Sequence, residues 1–318
     1  MQAVSSGGTT TLSREDNGVA VLSSNTTPYL FINNSTSSST SVCPAYVTPF
    51  ACTTINNLGL TPTSPFGIAV DPPSKNVYVI SRGNTSNSLS CSINSTNGGL
   101  NCSTLSFAAD LESKGCTAAQ GIAIDPPGQN AYITCGNSKV YKCALSGSTC
   151  NQLTLSGTPT PLNNPMGIVI DPMNTYMAIA NNVVTGFVTT CKIDGTGCVT
   201  GNSGNSVAYM TVNNKGNYLY TGKSNGSSVY SCPVTLVAES ISIGSCSIKS
   251  SSAANVKGIA VNPSGANVYI AVQNSGGLIS SCPANPGSEI SANCSNTSST
   301  GLSSSMQGAT WGNVVESP

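Results

Sequence analysis

The chain has 318 residues, 38% hydrophobic, 7% charged and 5% aromatic, with eleven basic residues against eleven acidic ones, 14 Cys and no His. Zero net charge implies no polyanion-seeking surface and no nucleic-acid partner, and no apolar run approaches the length of a membrane span. The lack of His takes away Ser-His and Cys-His nucleophile pairs, His metal ligands and the commonest general base.

Residues 1–20 hold no basic segment followed by an apolar one, so the sequence is expected to be mature chain behind an added or assigned start Met. Two strand-like pieces come first, Gln2–Ser5 and Thr9–Leu12. A unit then recurs along the chain. Its first, degenerate copy is Gly18-Val-Ala-Val21 with Tyr29-Leu-Phe-Ile32. Clear copies are Gly67-Ile-Ala-Val-Asp-Pro72 with Val77–Ile80, Gly121-Ile-Ala-Ile-Asp-Pro126 with Ala131–Thr134, and Gly167-Ile-Val-Ile-Asp-Pro172 with Tyr176–Ile179. Tyr209-Met-Thr-Val-Asn213 with Tyr218–Tyr220 is degenerate, Gly258-Ile-Ala-Val-Asn-Pro263 with Val268–Ala271 is clear, and Gly308-Ala-Thr-Trp311 is a seventh start. The period of about 48 residues is that of a propeller blade and not of a helical solenoid.

Each unit reads as four strands. The first is short, apolar and β-branched, as for a strand buried on both faces. The Asp-Pro segment makes a turn, with the Asp side chain capping amides and Pro fixing φ. The second strand is marked by Tyr78, Tyr132, Tyr176, Tyr218 or Tyr269. The third and fourth each carry one Cys in most units. Neighbouring cysteines therefore pair as Cys43–Cys52, Cys91–Cys102, Cys143–Cys150, Cys191–Cys198, Cys232–Cys246 and Cys282–Cys294, leaving Cys116 and Cys135 for each other. Each bridge is expected to stabilise by about 2–3 kcal/mol. An even cysteine count without orphans implies an oxidising compartment, hence a secreted or cell-surface protein; metal binding, the rival, lacks both a C-x-x-C motif and His. Sequons at Asn25, Asn33, Asn34, Asn84, Asn94, Asn101, Asn225, Asn293 and Asn296 are compatible with that location.

The Gly-Ile-Ala-Val-Asp-Pro pattern followed by Asn-Val-Tyr-Val/Ile resembles the YVTN/NHL-type, lactonase-like β-propeller repeat, from about residue 17 to 312. The resemblance implies an all-β propeller of four-stranded blades; the seven repeat starts make it seven-bladed, a single domain over 1–318. The last blade is expected to take two strands from each terminus and to lack a cysteine pair; the alternative is that the ends pair with a neighbouring molecule. Lactonase-like and streptogramin-lyase-like propellers use His in catalysis, so their activities are not carried over to this chain.

In such a propeller the loops between strands two and three, and between strand four and the next strand one, gather on one face around the axis. The residue before each repeat start would line the mouth there: Asn17, Phe66, Gln120, Met166, Ala208, Lys257 and Gln307. That ring suits an uncharged polar ligand such as a glycan, or a mouth plugged by side chains. Arg82, Lys139 and Lys223 are expected on the same face. Asp71, Asp125 and Asp171 are read as turn formers on the opposite face. The remaining acids (Glu15, Asp16, Asp110, Glu112, Asp194, Glu239, Glu289 and Glu316) show no converging pair, and Trp311 occupies a position held by Val elsewhere. The expectation is a non-enzymatic interaction module for an extracellular protein or glycan, with no catalytic residue, metal or cofactor. The alternatives are a subunit of an extracellular fibre or surface layer and a His-independent hydrolase of lactonase type.

Overall fold

The computed structural model describes the chain apart from residues 1–10, 15–19, 24–25, 35–37, 45–49, 57–63, 72–74, 95–98, 158–161, 184–185, 203–206, 224–225, 238–239, 251–254, 263, 274–277, 286, 298, 301, 303–305 and 316–318. The repeated units fold as antiparallel sheets, here called blades. Blade 1 comprises Pro65–Val70, Asn76–Ser81, Leu89–Ile93 and Leu100–Thr104. Blade 2 comprises Ala119–Ile124, Asn130–Cys135, Lys139–Ala144 and Cys150–Gln152. Blade 3 is Pro165–Ile170, Tyr176–Asn181, Phe187–Lys192 and Val199–Asn202. Blade 4 is Val207–Val212, Tyr218–Lys223, Ser228–Val237 and Ser247–Ser250, with Ser240–Ile243 folded back on the long third strand. Blade 5 is Val256–Val261, Asn267–Val272, Leu278–Pro283 and Ser295–Thr297.

The last sheet corrects three expectations. Its order is Met306–Val315, Thr26–Asn34, Ser39–Pro44, Thr53–Asn56, so the ring closes at blade 6 and no seventh blade exists among the described residues. The units that begin at Gly18 and Gly308 read as two blades, yet together they give one: the first supplies Tyr29–Ile32 and the second the inner strand. Trp311 lies opposite Leu30 and Thr310 opposite Phe31, so the Gly308 start supplies the inner strand for Tyr29–Ile32. Ala20–Ser23, from the Gly18 start, pairs instead with Thr11–Arg14 in a separate two-stranded sheet. Closure thus takes one strand from the C-terminal end and three from the N-terminal part, not two and two. The physical reason lies after Trp311, where no Asp-Pro turn follows; the strand runs straight on through Val314 and Val315 instead of folding back. Of the expected N-terminal strands, Gln2–Ser5 lies outside the described residues. Blade 6 also carries Cys43–Cys52, so a cysteine pair pins this blade too.

The inner strands meet in a ring, each packed beside the next. Glycine is needed there for room: a Cβ on Gly67 would lie 2.6 Å from the Gln120 carbonyl, one on Gly167 2.8 Å from that of Ala208, and one on Gly121 would overlap that of Met166. Side chains from second strands reach across the same seams. Thr134 Oγ1 accepts from the Gly121 amide (2.9 Å) and donates to the Met166 carbonyl (2.8 Å). At the closing seam Asn33 Nδ2 donates to the Gly67 carbonyl (3.2 Å), joining blade 6 to blade 1. Asn33 and Asn34 are fully buried, so those two sequons are shielded in the folded chain.

At the far end of the inner strands the aspartates make turns, as their spacing predicts. Asp71 Oδ1 accepts from the amides of Lys75 (2.7 Å) and Asn76 (3.0 Å), and Asp125 Oδ1 from Gln129 (2.7 Å) and Asn130 (2.9 Å). Asp171 Oδ1 takes the amides of Thr175 (2.6 Å) and Tyr176 (2.7 Å). Asn213 and Asn262 do the same in blades 4 and 5 with amides at 3.0–3.1 Å. The turns also latch neighbouring blades, since Tyr176 Oη donates to the Gly216 carbonyl (2.7 Å).

All fourteen cysteines are in disulfides. Six bridges, one per blade, join the third strand to the fourth strand or to the residue just before it, with Cα atoms 3.9–4.2 Å apart, the short spacing of cross-strand pairs that exchange no hydrogen bonds. Cys116–Cys135 is different, with Cα atoms 5.5 Å apart: it ties the loop between blades 1 and 2 to the end of a second strand. That loop holds a helix the repeat does not foreshadow, α1 (Ala108–Ser113), which buries Ala108 and Leu111 with the preceding Phe107 between the two blades.

Candidate functional site

Two regions of the ring can meet a ligand: the face where the two-to-three and four-to-one loops gather, and the cavity along the axis. On the loop face, in blades 1, 2, 3 and 5, the residue after the second strand donates its amide to the carbonyl of the residue before the inner strand. Arg82 bonds Ser64 (3.1 Å), Gly136 bonds Ala118 (2.9 Å), Asn182 bonds Asn164 (3.0 Å) and Gln273 bonds Asn255 (3.0 Å). Ser64, Asn164 and Asn255 adopt positive φ to make this contact. The rim is fixed by main chain.

The axial cavity measures about 270 Å³ and is walled by the inner strands. Of the ring expected before each repeat start, Phe66, Gln120, Met166 and Ala208 line it; Lys257 does not. Lys257 is half-buried, and that burial lowers its pKa. Asn17 lies outside the described residues, and Gln307 is placed only by register, opposite Asn33.

The structure shows what fills the mouth at the loop face. In blade 4, Tyr209 stands at the position that is Gly67, Gly121, Gly167 or Gly258 elsewhere. Blades 1 and 4 face each other across a ring of six, and the Tyr209 and Phe66 rings stack with centroids 5.9 Å apart at 27°. The exposed Arg82 guanidinium sits over Phe66, 5.2 Å from its ring centroid, a cation–π contact. Burial pushes the Tyr209 phenol well above its ordinary range, with the Arg82 charge acting the other way. The signal for this plug was present in the sequence, as a bulky aromatic at a glycine position of a repeat.

The other expected cations do not join Arg82. Lys139 lines a groove between blades 2 and 3 beside Val140, Leu153 and Leu162. Lys223 folds over its own turn, close to the place a Cβ on Gly226 would take. The acids are equally separate. Asp110 Oδ2 accepts from the Cys150 amide (2.7 Å) and pairs with Lys114 (3.0 Å), which together hold its carboxyl below the usual range. Glu112 accepts from the Ser86 amide (3.0 Å), so α1 braces the loop before the third strand of blade 1. Asp194 caps its own turn at Thr196, and Glu289 accepts from Ser247 (2.8 Å). Glu15, Asp16, Glu239 and Glu316 lie outside the described residues. Among the described residues no three His, Cys, Asp or Glu side chains are grouped to hold a metal, and no helix is long and apolar enough to cross a membrane.

No protein-family model and no curated protein matches the chain. Solved structures do. A chain from the nidogen/laminin complex is similar at a TM-score of 0.67 and 14% identity, over 90% of this chain and 98% of that one. A protein from Bacteroides uniformis provisionally assigned as a 6-phosphogluconolactonase is similar at 0.62 and 11%, over 90% and 99%. Its counterpart from Bacteroides fragilis is similar at 0.58 and 10%, over 90% and 98%. At these identities the likeness is one of fold: the chain is an all-β propeller.

Proposed function

We propose that this chain is a secreted or cell-surface, non-enzymatic propeller of the YVTN/NHL type, one domain over 1–318. On this reading it serves as a rigid interaction module whose loop face docks an extracellular protein or glycan. The observation that carries the reading is the seventh disulfide. Six bridges staple blades, but Cys116–Cys135 fastens the α1 loop to the loop face, which gives that face a fixed shape in an oxidising setting. The fold shared with a chain of the nidogen/laminin complex supports protein binding, and the absence of His from the sequence disfavours the lactonase alternative.

The test is a panel of extracellular-matrix proteins and arrayed glycans probed with the oxidised protein and with Arg82→Glu, Lys223→Glu and Glu112→Lys. The reading expects at least one saturable partner whose affinity falls about tenfold or more in a loop-face variant. Saturable turnover of sugar lactones by the same preparation, or binding indifferent to all three substitutions, would overturn it.

A further inference from the structure

Asn33 and Asn34 restrict the compartment in which this chain can fold. They head two overlapping sequons, Asn33-Asn34-Ser35 and Asn34-Ser35-Thr36, yet both side chains are fully buried at the loop-face end of the second strand of blade 6. Asn33 Nδ2 donates to the carbonyls of Phe66 (3.5 Å) and Gly67 (3.2 Å), across the seam where blade 6 meets blade 1. Asn34 Nδ2 donates to Ser39 Oγ (3.2 Å) and Ser41 Oγ (3.0 Å) on the adjoining third strand. Each nitrogen, with two hydrogens to give, meets two acceptors.

N-glycan transfer acts on these same nitrogens. The nitrogen bonds to the anomeric carbon of a sugar, the bond from that carbon to a polyprenyl diphosphate breaks, and one Nδ2 hydrogen leaves as a proton. A modified Asn33 or Asn34 keeps one hydrogen for its two acceptors and so loses a native hydrogen bond. The attached oligosaccharide is bulky and hydrated. On Asn33 it would have to lie in the seam between blades 6 and 1, with hydroxyls taken out of water and left unpaired. Transfer needs an accessible Asn, so it would precede folding and leave a chain that cannot close blade 6. Asn101 and Asn293 differ: each stands beside a blade-stapling cysteine and is exposed, so a sugar there leaves the fold intact.

We infer that this chain is oxidised and folded in a compartment that forms disulfides but does not transfer oligosaccharides to N-x-Ser/Thr, of the kind a bacterial periplasm provides. The inference rests on the secreted or cell-surface reading and narrows it. The native chain and the double variant Ser35→Ala/Thr36→Ala, which keeps both asparagines and removes both sequons, are each directed to the secretory pathway of animal cells and to a bacterial periplasm. Peptide mass spectrometry reads sugar at Asn33 and Asn34, and the yield of soluble protein without free thiols reads folding.

In the periplasm both chains are expected to fold with every cysteine bridged. In animal cells the native chain is expected to carry sugar at Asn33 or Asn34 and to be retained, with secretion several-fold below that of the double variant. Should the double variant not fold in the periplasm, the native chain made in animal cells that lack the lipid-linked donor takes its place, and is expected to regain secretion. Native protein secreted in folded form from animal cells as well as the sequon-free form is, with or without sugar at these positions, would overturn the inference and leave the secreted reading intact. Free thiols in the periplasmic native chain would overturn both.

Discussion

The inner and outer halves of each blade are held by different means. Tyr176–Asn181, a second strand, is buried at every position, and Phe31 and Ile32 are fully buried in blade 6. The fourth strand Thr53–Asn56 is almost wholly exposed, and Cys150–Gln152 buries only its cysteine. Apolar burial and glycine-permitted close approach secure the first pair of strands; a disulfide secures the second. Outer strands made largely of Ser, Thr and Asn bury too little to hold themselves down, so a bridge in each blade supplies locally what packing supplies near the axis. A propeller built this way should come apart in two separable layers.

The largest effect is expected where packing alone acts. Gly121→Val forces side-chain carbons into the Met166 carbonyl and Ile168 amide, and should lower stability by about 3–5 kcal/mol or prevent folding. Gly147→Ala, in a turn where a new Cβ meets nothing nearer than 3.6 Å, should change thermal unfolding by no more than about 0.5 kcal/mol. Equal losses would show that close approach at the axis is not what glycine provides. Next comes the outer layer. Replacing Cys143 and Cys150 together by Ala removes a bridge across a short loop, for about 2 kcal/mol. Hydrogen exchange should speed up in Lys139–Ala144 and Cys150–Gln152 while Ala119–Ile124 stays protected; uniform loss across the blade would contradict the two-layer picture.

A smaller change, about 1–2 kcal/mol, is expected for Asp125→Ala, which strips the acceptor from the Gln129 and Asn130 amides. Asp125→Asn should retain most of the stability, because Asn213 and Asn262 already serve this role in blades 4 and 5. The slightest effect belongs to α1. The Asp110 carboxyl is held low by the Cys150 amide and by Lys114, so it favours the folded form above the ordinary carboxyl pKa of about 3.9. That contribution disappears as pH falls through the lower folded value. Exchange at Leu111 and Cys116 should therefore rise in acid in the native chain, and should be raised already at neutral pH in Asp110→Asn. An acid response that persists in that variant would place its origin elsewhere.

Much of this layering is legible in the amino-acid order. The Gly-Ile-Ala-Val runs, the Asp turns and the adjacent cysteines are local signals, each completed within a few residues. Ring closure is not local. Whether Gly308–Trp311 begins a blade or completes one depends on a strand nearly the whole chain away, and counting motifs counted that blade twice. Helix α1 escaped for a different reason: Phe107, Ala108 and Leu111 have helical spacing, but over a single turn between strong strand signals they read as loop. The axial plug was visible in principle. Tyr209 at a glycine position only acquires meaning once six blades put it opposite Phe66, which an odd-numbered ring does not do.

That even-numbered ring, closed by the last strand against the first blade-forming strand of the same chain, underlies the rest. Hydrogen exchange on the monomer, with its sedimentation checked at the working concentration, tests it most directly. Residues 306–315 and 26–34 should be slow to exchange and should open together in one event, with 11–23 opening independently. Rapid exchange across 306–315 while 26–34 remains protected, or protection of 306–315 that vanishes on dilution, would contradict it.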